Sequence, residues 1–157
     1  MKISQVLEIA RFAGVFAGFW LAFKNVSDPT LAFHYLAVWV VASIAGVAAA
    51  ESLCFPKQAA AASGYADPGH YQRQSGINNL AVTIVSLVAF FLHWGTEAEA
   101  AICLVLLIFL SLSALNHAHS WWREGNRSWR GITRPLGTLI LLAAVLPFMF
   151  RAFIAAP

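Results

Sequence analysis

Along the chain, long apolar runs alternate with short polar interruptions, and the runs are of membrane-crossing length. A helix needs about 20 mostly apolar residues to span the hydrocarbon core of a bilayer. Five stretches meet that requirement, at about 3–23, 30–53, 70–94, 96–122 and 132–154. The first ends at Lys24-Asn25-Val26-Ser27-Asp28-Pro29, where Ser27 or Asp28 can cap the second helix and Pro29 can sit in its first turn. Pro56 marks the end of the second span, and Gly95-Thr96 makes a tight connection after the third, with Thr96 or Glu97 available to cap the fourth. Pro135 falls in the first turn of the last span, and Pro147 should loosen or kink its interior. The pattern predicts an all-α integral membrane bundle of five transmembrane helices, one domain over 1–157.

Composition narrows the class further. Hydrophobic residues make up 60% of the chain and charged ones 11%, against about 25% charged in a typical soluble domain. Too few polar side chains remain to cover a water-facing surface, whereas lipid accepts apolar side chains directed outward. Met1 and Lys2 lead into the first run as in a signal peptide. That run outlasts a typical apolar signal core of about 7–15 residues and no small-residue cleavage site follows, so it is expected to persist as helix one. Cys54 and Cys103 form no C-x-x-C pair or zinc spacing and are expected to be small buried apolar residues.

The basic residues are unevenly placed. Lys2, Lys57, Arg73, Arg123, Arg127, Arg130 and Arg134 fall on one side of the predicted bundle, and Lys24 and Arg151 on the other beside Asp28, Glu97 and Glu99. The positive-inside rule then orients the bundle N-in and C-out in the cell inner (cytoplasmic) membrane as a multi-pass protein. The net charge of +3 is explained by this bias, and no nucleic-acid partner is expected. Trp121, Trp122 and Trp129 flank the Arg-rich turn, while Trp20 and Trp94 lie near the opposite interface, as expected of indole anchors. With Arg123, Arg127, Arg130 and Arg134, the first three tryptophans outline a candidate surface for lipid or a partner. Gly14-x-x-x-Gly18 on helix one and the Ala42, Gly46, Ala50 stripe on helix two permit close helix approach, either within the chain or between subunits.

Intramembrane polar groups are costly and therefore informative. Glu51 ends helix two. Tyr71, Gln74 and Asn78 share one face at the start of helix three, with Asn79 beside it. Asn116, His117 and His119 lie near the cytoplasmic end of helix four. These residues form the candidate polar site, in which a carboxylate beside an imidazole can pass protons or hold a polar ligand. The competing reading is that they only hydrogen-bond helix ends together. His117 and His119 are two apart and cannot both face one ion on a regular helix, so no metal is expected. His34 and His93 near the outer interface suggest haem ligation at most as a minor reading beside anchoring or capping, and no cofactor is expected.

The stretch Ala59-Ala60-Ala61-Ala62-Ser63-Gly64-Tyr65, then Pro68-Gly69-His70-Tyr71-Gln72-Arg73-Gln74-Ser75-Gly76-Ile77-Asn78-Asn79-Leu80, resembles a family of small bacterial and archaeal membrane proteins of unknown function. Tyr71, Gln72, Gly76, Asn79 and Leu80 match its aromatic-Gln-x-Glu-x-Gly-x-x-Asn-Leu pattern, and His117 is similarly placed to the family's His. Gln74 stands where the family has Glu, leaving Glu51 to supply a carboxylate. The resemblance spans roughly 33–122 and implies architecture and site position, with no activity attached. Taken together, the residues favour a protein that acts by binding, as an interaction or accessory subunit in a homo-oligomer or larger membrane complex. A transporter or channel using the polar site is the alternative. An enzyme is third, since no Ser–His–Asp order, metalloprotease helix motif or nucleotide loop is present.

Overall fold

A computed structural model of the chain describes residues 3–62, 70–125 and 127–156. Lys2 and positions 63–69 of the family-like turn lie outside the described residues. Everything described is helix or connecting turn: α1 (Ile3–Lys24), α2 (Pro29–Cys54), the short α3 (Pro56–Ala62), α4 (His70–Phe91), α5 (Thr96–Arg123) and α6 (Arg130–Ala155). Five of these, all but α3, are long and apolar enough to cross a membrane.

The start of α2 follows from its sequence. Asp28 has extended backbone and its carboxylate accepts the Leu31 N–H at 3.0 Å, while Pro29 occupies a first-turn position where its missing N–H costs nothing. Asp28 is thus the cap, and its carboxyl is held below the ordinary carboxylate range, first by the Leu31 N–H and then by the Thr30 hydroxyl. At the other end Pro56 does more than stop α2: it opens α3 as its first residue. The cap expected from Thr96 or Glu97 is corrected, because α5 starts behind Gly95 with no side-chain cap. The helix before it, α4, ends at Phe91, sooner than the predicted 94. His93 turns into the left-handed region at φ 50° and Gly95 has φ 95°, so the helix stops three residues before the end that apolarity suggested. α6 starts at Arg130, which moves Pro135 beyond the first turn, and runs unbroken through Pro135 and Pro147.

α2 is the central helix, packed against α1, α4, α5 and α6. Glycines set the close contacts. A Cβ on Gly18 would lie 2.6 Å from Trp39 Cβ, and one on Gly14 would lie 2.1 Å from Ser43 Oγ. The Gly14-x-x-x-Gly18 face of α1 therefore seats α2 of the same chain. Ser43 belongs to a π-helical turn, Ala42–Gly46, and Gly46 on that turn faces Thr83 of α4. Lower on α4, a Cβ on Gly76 would come within 2.9 Å of Leu53. An apolar core, with Phe33, Leu36, Val40, Val41, Leu107 and Val145 buried, fills the bundle toward the Lys24 end. Cys103 joins that core, whereas Cys54 is exposed, contrary to expectation.

Candidate functional site

At the Arg-rich end the helices separate around a cavity of about 450 Å³. α1 packs along α2 and meets α6 at the far end, where Phe19 and Phe23 contact Phe148 edge-on. Nearer the Arg-rich end, α1, α2, α4, α5 and α6 all contribute to the cavity wall. Its volume falls within the range of about 300–1,000 Å³ usual for small-molecule sites.

One wall carries a network of charges. Glu51, 4% exposed, receives Arg130 Nη2 at 2.7 Å, and Arg130 itself is 1% exposed. Arg130 also donates to Glu8 at 3.2 Å, Glu8 receives Arg11 Nη1 at 2.7 Å, and Arg11 Nη2 lies 3.5 Å from Glu51. Two carboxylates and two guanidiniums thus close a ring across α1, α2 and α6. Each charge is stabilised by the others in a place where any one alone would be expensive. The ring also explains why α1, so apolar elsewhere, carries an acid and a base one turn apart.

Beside the ring, Arg134 Nη1 donates to His117 Nε2 at 2.9 Å. Because a guanidinium only donates, Nε2 must accept, which makes this imidazole neutral with its proton on Nδ1. Among the described residues Arg134 has no carboxylate at ion-pair distance. Two further donors, Arg11 Nε and Arg130 Nε, are buried without an acceptor among the described residues.

The expected site residues divide. Glu51 and His117 are buried and line the cavity, as does Asn79, whose amide donates to Ser75 O at 2.9 Å. Tyr71 and Asn116 line it from exposed positions. Gln74, Asn78 and His119 lie on exposed faces outside the cavity wall, and His119 is 3.5 Å from Glu124 instead. The inward face of α4 is Gln72, Gly76, Asn79, Thr83 and Ser86, one step round from the predicted stripe. The reason is Gly76: only that face lets α4 come against Leu53 and Ser52.

The surface assignment of Arg130 and Arg134 is corrected, since Arg130 is buried and both line the cavity. Arg123, Arg127, Trp122 and Trp129 do lie exposed. Trp121 is half-buried, holding Arg127 over its ring at 4.3 Å and packing on Gly131. Glu8, Arg11 and Gln72 also line the cavity and were not among the predicted site residues. The Glu8/Arg11 spacing inside an apolar run was the available signal for the first two.

At the opposite end His34 Nδ1 pairs with buried Glu99, and the His34 ring stacks on Phe90 at 4.3 Å and on His93 at 5.4 Å. The two imidazoles are stacked, 21° apart, and His34 Nδ1 is taken by Glu99, so what the pair displays is ring packing beside a carboxylate. The cluster joins α2 to α5 and to the α4–α5 turn, a structural role akin to capping.

No curated protein and no solved structure matches the chain. A family model does, over residues 3–153, and its description is a family of unknown function. The chain therefore belongs to that family, DUF6790, whose model reaches all five helices that are long and apolar enough to cross a membrane and covers the charged cavity.

Proposed function

We propose that this membrane protein acts by binding a ligand in its Arg-rich cavity, in the manner of an interaction or accessory subunit of a membrane complex. The supporting observation is the pairing of a 450 Å³ cavity with a charged ring whose members come from three helices. A ring of that kind is expensive to bury, so a cavity wall made of it favours a specific occupant over loose packing. By the positive-inside bias the cavity belongs on the cytoplasmic side of the inner membrane. The exposed Arg123, Arg127, Trp122 and Trp129 would meet anionic headgroups or a partner there, each basic residue contributing about 1 kcal/mol. Native mass spectrometry and crosslinking in membranes test this reading. Recovery with a bound ligand or partner is expected; a bare monomer under both would overturn it.

A transporter or channel is the second reading, favoured by the meeting of Glu51, Arg134 and His117 on one cavity. Against it, polar lining stops at the apolar core of Phe33, Leu36, Val40 and Leu107, and among the described residues no polar path continues to the Lys24 end through a single chain. If transport occurs, Glu51→Gln and His117→Ala should abolish flux in proteoliposomes while elution from a sizing column stays normal. Wild-type flux in both variants would remove the reading.

A further inference from the structure

The wall of the cavity specifies more than the presence of a ligand. Its lining charges are Arg11, Arg130 and Arg134 against Glu8 and Glu51, an excess of one positive charge with His117 neutral. That excess is not spread evenly. Arg11 and Arg130 face carboxylates, whereas Arg134 meets only His117 among the described residues. Arg130, almost wholly buried, keeps an Nε donor without an acceptor among the described residues, and so does Arg11. Buried donors without acceptors beside an unbalanced guanidinium call for one anionic group with several acceptor oxygens.

Beyond the charges and a band of polar side chains that includes Gln72, Asn79 and Thr138, the wall becomes hydrocarbon, and that part reaches the outside of the bundle. Phe12 is 70% exposed, Phe109 40% and Ile140 61%, and all three line the cavity. At 1.5 Å per residue they sit about 14–21 Å along their helices from the Arg-rich ends. Exposed apolar residues at that depth border the hydrocarbon of the bilayer, so the cavity is open sideways, between α1 and the α5–α6 pair. A free inorganic anion would leave this portion without a partner, and a net-neutral lipid would leave the excess positive charge unbalanced.

We infer that the cavity holds a monoanionic amphiphile, its charged head at Arg134 beside Arg11 and Arg130 and its hydrocarbon chain along Phe12, Phe109 and Ile140, entering from the membrane. The inference rests on the ligand-binding reading above and gives its ligand a chemical class. A phosphodiester lipid and a fatty acid share that chemistry.

The test is retention of added ligand by the purified full-length chain in mild detergent, read by native mass spectrometry. Phosphatidylglycerol and oleate are the anionic probes, with phosphatidylcholine and inorganic phosphate as controls. One equivalent of an anionic probe should remain bound and should not be displaced by either control. Retention of phosphatidylglycerol alone, or of oleate alone, identifies the source of the head. Arg134→Gln should weaken retention about tenfold or more, and Arg134→Lys, which keeps the charge, should preserve most of it. If Arg134→Gln does not fold, the comparison of anionic with zwitterionic lipid on the wild-type chain decides. Gly137 lines the cavity and a Cβ there meets nothing within 4 Å, so Gly137→Phe should fill the cavity and abolish retention in a folded protein. Equal retention of phosphatidylcholine, or an undiminished signal in folded Arg134→Gln, overturns the anionic head and leaves the cavity as a site. Retention unchanged in Gly137→Phe overturns the cavity reading itself.

Discussion

At the scale of single residues, the charged ring turns Glu51 from a candidate proton carrier into a structural partner as well. Removing it leaves Arg130, 1% exposed, without its shortest ion pair. Glu51→Ala is expected to lower stability by about 3–5 kcal/mol, measured by denaturant unfolding in mixed micelles; a loss below about 1 kcal/mol would show that Arg130 finds other compensation. Glu51 and His117 were legible because an acid and an imidazole stand out in apolar runs. The choice between Gln74 and Gln72 was not, since polar residues mark two neighbouring faces at the start of α4 and only contact with α2 selects one. Asp28 offers a pH test outside the spans. Its depressed folded value means that its capping contribution is complete above the unfolded pKa of about 3.9 and is lost as pH falls through the lower folded value. Thermal unfolding of Asp28→Asn, which keeps a capping oxygen, should lack the part of the acid destabilisation seen in the wild type below pH of about 4. Parallel curves for the two proteins would count against the cap as a titrating group.

At the scale of elements, the approach of α1 to α2 is set by two glycines that meet side-chain atoms close to the α2 backbone. Trp39 Cβ, 2.6 Å from a Cβ on Gly18, cannot move unless the helix does. Gly18→Ala should therefore cost about 1–3 kcal/mol and shift α1 outward. Gly137→Ala, with open space around the new methyl, should be neutral or slightly stabilising by helix propensity, up to about 1 kcal/mol. The same unfolding measurement compares them, and equal losses would refute the packing account. The small-residue spacing was readable from the sequence. Its partner was not, because a glycine face accepts a helix from the same chain or another equally well.

At the scale of the whole molecule, α2 sits at the centre of the bundle and the two ends differ: a charged cavity at one, an apolar core and the His34–Glu99 cluster at the other. If the Arg-rich end is cytoplasmic, Ser128→Cys in a Cys54→Ser background, where the remaining Cys103 is buried, should resist an impermeant thiol reagent on intact cells, and Thr96→Cys in the same background should react. The reverse pattern would invert the proposed topology and move the cavity outside.

What the chain alone determined was its solvent and its count of spans, because apolar run length and scarcity of charge decide whether lipid can surround a helix, whatever the neighbours. It also marked the costly groups Glu51 and His117, whose expense is a property of the residue. Only the tertiary structure decided which charge answers which. Glu8, Glu51 and Arg130 come from three helices, and ion pairing acts over a few ångströms in space, a distance on which separation along the chain is silent.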